Sequence, residues 1–145
     1  MMYRACFLPL LLALGACDAL PRDAAGTTER ISREHAMRVA VLPGTPDAAP
    51  ALALLDAYAT KHRARLMLVD AHGEHAARQL EDGRIDALIG HFSKVSPWMA
   101  DISLSKAVAH PEPDDSQQPV LRIARRNGEN ALILATDRAV AAAAR

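Results

Sequence analysis

Cysteine is nearly missing from this chain. Cys6 and Cys17 are the only two in 145 residues, so a disulfide-stapled scaffold is excluded. Charge of one sign is missing too. Seventeen Lys and Arg stand against 17 Asp and Glu, for a formal net charge of zero. That balance excludes a nucleic-acid binder held by bulk charge, and it gives little reason to expect polybasic attraction to anionic lipid. Aromatics are few, namely Tyr3, Phe7, Tyr58, Phe92 and Trp98, so the one tryptophan stands out. No apolar run approaches the ~20 residues a membrane-spanning helix needs. No Gly-x-Ser-x-Gly elbow and no internal repeat is present. Half the residues are hydrophobic, which gives one domain enough material for a core.

The first 16 residues do not read as fold. Arg4 supplies a positive charge, Phe7 to Leu14 is a short apolar run, and Leu14-Gly15-Ala16-Cys17 closes it. This is the pattern of an export signal, and its end resembles the lipobox of bacterial lipoproteins. The resemblance implies cleavage before Cys17 and attachment of lipid to its thiol. Residues 1–16 are then a signal peptide, and 17–35 are a lipidated N-terminus and tether, with a short helix around Glu29 to His35 as an alternative for its last part. The protein would be an envelope lipoprotein facing the periplasm, anchored stably by two acyl chains. Loss of Cys6 and Arg4 would leave no disulfide and 16 basic against 17 acidic side chains.

Residues 36–145 read as one three-layer α/β domain with a mainly parallel sheet of four or five strands. Met37–Leu42, Arg65–Asp70 and Ile85–Gly90 are strand candidates separated by helical patterns. Asp47 is placed to cap the helix that runs to about His62. Glu74–Asp82 is a second helix, and Gly83 supplies the left-handed residue at its end. Ile102–Leu104 and Val120–Ala124 are later short strands. Between them lies a polar, Pro-rich connector, His110–Pro119. Arg125 to Gly128 reads as a turn, and Asn130–Ala144 as an alanine-rich helix. Arg122, Arg125 and Arg126 read as a solvated basic edge.

The order of segments resembles the amino-acid type (family 3) of periplasmic solute-binding proteins. Three stretches carry it. Leu80, Gly83 and Asp86 match a helix-to-strand "L-x-x-G-x-x-D". Ser96-Pro97-Trp98-Met99-Ala100, with Leu104-Ser105, is similar to "T-P-E-R-A … F-S-x-P-Y". Arg125, Arg126, Gly128 and Asn130 are similar to a late "R-K-G-x-N" turn. The resemblance implies the fold of lobe 1 of a two-lobed binding protein. The second lobe is inserted between the last two of these stretches, where this chain has only the connector 110–119. Met99 stands where the family places the Arg that grips a ligand carboxylate, and Ala107-Val108 stands at its Pro-Tyr. Ordinary amino-acid binding would lose its main anion contact there.

In an open α/β sheet, ligands sit outside the carboxyl ends of the strands. The candidate ligand-binding residues are therefore Thr45, Asp70, His91, Ser93, Ser96 and Trp98, with His72 nearby. The alternative is a solvated loop edge. Trp98 also has two readings, packing over the sheet end or marking a partner surface. His72-Gly73-Glu74-His75 could set two imidazoles on one metal only if both lay on a helix, and Gly73 argues against that, so no metal is expected. No catalytic residues and no cofactor are expected either. The expected function is an accessory binding or interaction module for an envelope transporter or sensor. The alternative is a true small-solute receptor that completes its site by dimerisation or with a partner. Membrane lipid, through Cys17, is the expected anchor, and nucleic acid is not an expected partner.

Overall fold

A computed structural model describes residues 22–145, apart from the side chains of Trp98 and Met99. The signal, Cys17 and the first part of the tether lie outside these residues. Five strands and four helices follow the chain: α1 (Thr27–Glu34), β1 (Ala36–Val41), α2 (Ala49–Lys61), β2 (Arg65–Leu68), α3 (Gly73–Glu81), β3 (Ala87–Phe92), β4 (Ile102–Leu104), β5 (Val120–Arg126) and α4 (Asn130–Ala143). A single 3-10 turn, Pro97–Ala100, precedes β4.

Each helix buries one stripe. On α2 the buried positions are Ala51, Leu55, Tyr58 and Ala59, and on α4 they are Leu132, Thr136 and Val140. Both follow the i, i+4, i+8 spacing of one helical face. With Ile31 of α1, these side chains pack on Met37, Val39, Ile89, Leu121 and Ile123 from one face of the sheet. Ala76 and Leu80 of α3 pack on the other face, against Ala40, Leu88 and Ala124. The result is the expected three-layer sandwich of helices, sheet and helix.

The sheet order is β2-β1-β3-β5-β4. β1 pairs in parallel with β2 and β3, while β5 runs antiparallel to both β3 and β4. The sheet is thus mainly parallel, with one reversed strand. The reversal follows from the link: β5 returns through a loop without a helix, and only antiparallel neighbours can be joined that way. Gly83 has φ +69 after α3, as the end of that helix requires. A Cβ on Gly90 would lie 2.7 Å from Leu42 Cδ1, so the close approach of β1's end to β3 needs a glycine there.

Three expectations are corrected. The folded unit begins well before residue 36. Asp23 is buried and α1 packs through Ile31, so the later half of the supposed tether belongs to the domain. Arg122 and Arg125 are not a solvated edge: they lie inside β5, 1% and 0% exposed. Asp47 does not cap α2, whose N-cap is Ala48 with no side-chain hydrogen bond.

Candidate functional site

The chain leaves β1 for β2 on one side and returns to β3 on the other. The strand order therefore switches at the carboxyl ends of β1 and β3, where a crevice opens in sheets of this kind. A groove of about 520 Å³ lies there. Asp47, just after β1, and His91, on β3, face each other across one wall, and the connector supplies His110, Glu112 and Asp114.

His91 Nε2 lies 3.1 Å from the Asp47 carboxylate. The hydrogen bond from His91 holds the Asp47 carboxyl below its usual range. Both side chains remain partly exposed, at 35% and 41%, so the pair is open to solvent and to a ligand. Strand alternation explains the placement. Leu88 points to the α3 layer and Ile89 to the α2 layer, and His91 follows Ile89 on that side as the strand emerges.

The opposite wall is held by a buried cation. Arg122 donates from Nε to Phe92 O at 3.1 Å and from Nη1 to Ser105 O at 2.9 Å. Its Nη2 donates to Glu112 Oε1 at 2.6 Å. Glu112 also accepts the Ala107 backbone N–H at 2.8 Å and pairs with Lys94 at 2.9 Å. These donors, Arg122 foremost, pull the Glu112 carboxyl down to about 2. The connector is therefore clasped over the start of β5 at the place where the resemblance would insert a second lobe. Lys94 N donates to Ser116 O at 2.9 Å and fastens its far half.

Of the residues expected at this edge whose side chains are described, the structure brings only His91 into the groove. Thr45 is buried in the loop after β1. Asp70 is exposed beyond β2, the outermost strand, away from the crevice. Ser93 and Ser96 follow β3, half-buried, without lining the groove. Trp98 sits in the 3-10 turn, and its side chain lies outside the described residues. His72 is in extended backbone at the head of α3, as Gly73 implied, so it shares no helix face with His75. Among the described residues no group of three or more His, Cys, Asp or Glu is placed to hold a metal. No described helix is long and apolar enough to cross a membrane.

Asp47, His110 and Glu112 are the residues that sequence reasoning missed. Asp47 carried the pattern of a helix cap. The connector read as a replacement for a lobe, not as a wall. The one available signal was an Arg on a short apolar strand, Arg122, which had to find an acid if the strand was central.

No protein-family model matches the chain, and no curated protein matches it. Solved structures do. Domain 1 from TmArgBP in its arginine-bound form aligns with a TM-score of 0.63 and 14% identity, over 78% of this chain and 97% of that one. A point mutant of that domain gives 0.64. An ancestral cationic amino acid solute-binding protein aligns with a TM-score of 0.61 and 10% identity, over 80% of this chain and 93% of that one. The L-cystine solute receptor of Neisseria gonorrhoeae, unliganded and open, aligns with a TM-score of 0.53 and 12% identity, over 79% and 89%. These neighbours are solute-binding proteins. The described domain has the fold of a single lobe of an amino-acid solute-binding protein.

Proposed function

We propose that this chain is a one-lobed, non-catalytic binding module of the bacterial envelope, held to the membrane by lipid on Cys17 and serving a transporter or sensor there. The observation that carries the reading is the clasped connector. Glu112 ties it to Arg122, Lys94 and Ala107, so the edge where a second lobe would enter is finished rather than broken. A half-protein missing its mate would leave that edge as loose chain. The lipobox pattern supports the anchor, and the fold supports a binding role.

A second reading has its own support. The groove at the switch point is open and carries Asp47, Glu112 and Asp114 on its lining, and an isolated lobe of this fold holds arginine in a similar structure. Under this reading the lobe is itself a small-solute receptor. Asp47, His91 and the connector acids would favour a cationic ligand.

One experiment separates them. A photo-crosslinker at Gln118, on the groove rim, is activated in native envelope membranes, and the purified chain is screened by thermal shift against amino acids and amines. The accessory reading expects a crosslink to a membrane protein and no thermal shift. The receptor reading expects a shift on the order of 10 °C at saturating ligand. Loss of membrane association is expected for Cys17→Ser; if the variant stays lipid-labelled, the anchor is elsewhere.

A further inference from the structure

Net charge is zero, but the charges are not evenly placed. The starts of β1 and β2 lie at the pole opposite the groove. There the loop between α2 and β2 reads Lys61-His62-Arg63-Ala64-Arg65. Lys61, Arg63 and Arg65 are all exposed. None of the three makes an ion pair among the described residues, whereas Arg30, Arg38, Arg122, Arg125 and Arg126 all do. Arg78, Lys106, Arg138 and Arg145 are in no ion pair either, but they are scattered along the chain, while these three fall within five residues. Lys61 closes α2, where a cation is favoured by the helix end. Arg63 and Arg65 lie beyond the helix, so that explanation does not extend to them. His35 joins this surface, its Nδ1 3.0 Å from Arg63 O. Lys61, Arg63 and His35 rim a hollow of about 280 Å³ with Ser32 and His62.

The chain enters the domain at the same pole. Phe92 of β3 pairs with Val120 and Leu88 with Ala124, so the end of β5 lies beside the start of β3. Asp23 bridges to Glu129 just past β5, and Ala24 N donates to Gly128 O at 2.9 Å. From Asp23, α1 runs about 12 Å across the pole and ends beside the basic loop, where Ser32 Oγ lies 3.5 Å from His62 Nδ1. Cys17 is five residues before Arg22. Five extended residues reach at most about 18 Å.

We infer that the pole carrying Lys61, Arg63 and Arg65 rests on anionic phospholipid headgroups, with the groove held away from the membrane. The inference rests on the lipid anchor at Cys17 proposed above. A tether this short keeps the pole within reach of the surface, and three unpaired cations fix which way it turns. Each Lys or Arg near an anionic surface adds roughly a fivefold preference, about 1 kcal/mol. The three together shift docked against undocked by roughly 100-fold at low salt. The orientation leaves Asp47, His91 and the connector free to meet a solute or a transporter.

The test uses the full chain, processed so that Cys17 carries lipid, in vesicles doped with a headgroup quencher. Signal cleavage removes Cys6, so an introduced cysteine is the one site for a fluorophore. Thr60→Cys, exposed beside the basic loop, and Gln117→Cys, on the connector, are labelled separately. Vesicles are phosphatidylcholine alone or with about a third phosphatidylglycerol. Quenching at position 60 but not 117, only with phosphatidylglycerol and lost at high salt, is the expected result. Combined Lys61→Glu, Arg63→Glu and Arg65→Glu should return position 60 to its zwitterionic level while flotation with vesicles persists. Flotation with equal signal in both vesicles, or quenching at 117, overturns the orientation alone. Failure to float overturns the anchor and the orientation together. An unquenched position 60 in vesicles, with a charge-dependent protein crosslink in native membranes, would assign the patch to an acidic protein and also overturn it.

Discussion

The two poles of this sheet use charged side chains for opposite purposes. At the pole where β1 and β3 begin, carboxylates are buried and crowded with donors. Asp86 is 3% exposed, accepts the Arg38 backbone N–H at 2.8 Å and pairs with Arg30. Its burial pushes its carboxyl above the usual range, while the two arginines work against that shift. Asp23 accepts from the backbone of Ala131, Leu132 and Thr28, and Glu129 from Ala25 and Thr27. Two remote carboxylates thus cap the converging N-termini of α1 and α4, where negative charge is favoured. At the other pole, the Asp47–His91 pair is open to solvent and Glu112 is partly so. Internal polar groups at one pole build the lobe. At the other they shape a surface that can still change partners. The motif Asp that carried the family resemblance, Asp86, belongs to the building pole.

This division can be broken at graded points. Asp86→Ala should have the largest effect. It leaves the Arg38 N–H without its acceptor and Arg30 with Glu34 alone, breaking a buried pair at a cost of about 3–5 kcal/mol, and the thermal midpoint should fall by on the order of 10 °C or more. Asp23→Ala should follow, at about 2–4 kcal/mol, because three backbone donors of two helices lose their acceptor. Circular dichroism melts check both. Retention of the wild-type midpoint in either variant would remove the case for that pole.

Glu112→Gln should cost less, about 2 kcal/mol, since Arg122 keeps the carbonyls of Phe92 and Ser105. Its pH signature is more telling. The Glu112 carboxyl is depressed to about 2 from an ordinary 4.5. A depressed acid stabilises the fold above its unfolded value and loses that contribution as pH falls. The clasp should therefore weaken between about pH 4.5 and pH 2, and Glu112→Gln should flatten the stability profile across that window. An unchanged profile would contradict the clasp. The smallest effect belongs to His91→Ala. An exposed pair contributes little to stability, so its midpoint should barely move, while crosslinking or ligand response at the groove should drop.

The regular elements were legible because their periods are clean. Leu52, Leu55 and Ala59 marked α2, and Met-Arg-Val-Ala-Val-Leu marked β1. Gly83 marked the end of α3 through a conformation few other residues adopt. α1 was legible only as a possible short helix around Glu29 to His35, because its sequence, Thr-Thr-Glu-Arg-Ile-Ser-Arg-Glu, carries one apolar residue. Its place is fixed instead by carboxylates about 100 residues away, Glu129 among them. Val-Leu-Arg-Ile-Ala-Arg-Arg read as a strand running into a basic turn for the same reason. Arg122 is tolerable inside only because Glu112 reaches it from a Pro-rich connector, and Arg125 because Asp137 of α4 lies 2.9 Å from Nη1. Burial still pushes the Arg125 guanidinium below its usual range. Pairings of this kind depend on the folded layers and leave no local pattern. The topology rule pointed to the carboxyl ends of the strands, where the groove lies, but much of its lining comes from the connector, which no strand-end rule covers. A balanced total charge concealed that Lys61, Arg63 and Arg65 stand together, exposed and outside any ion pair among the described residues, at one pole.

The most direct test is hydrogen exchange on the full chain, wild type against Glu112→Gln. The amides that donate to Asp23 and Glu129, those of Ala25, Thr27, Thr28, Ala131 and Leu132, should exchange slowly and alike in both proteins. The Ala107 and Lys94 amides, which depend on the clasped connector, should exchange much faster in the variant, by local opening. That pattern would establish a rigid building pole and a separable binding edge. If both sets of amides speed up together, or neither does, the two poles are one cooperative unit and the account fails.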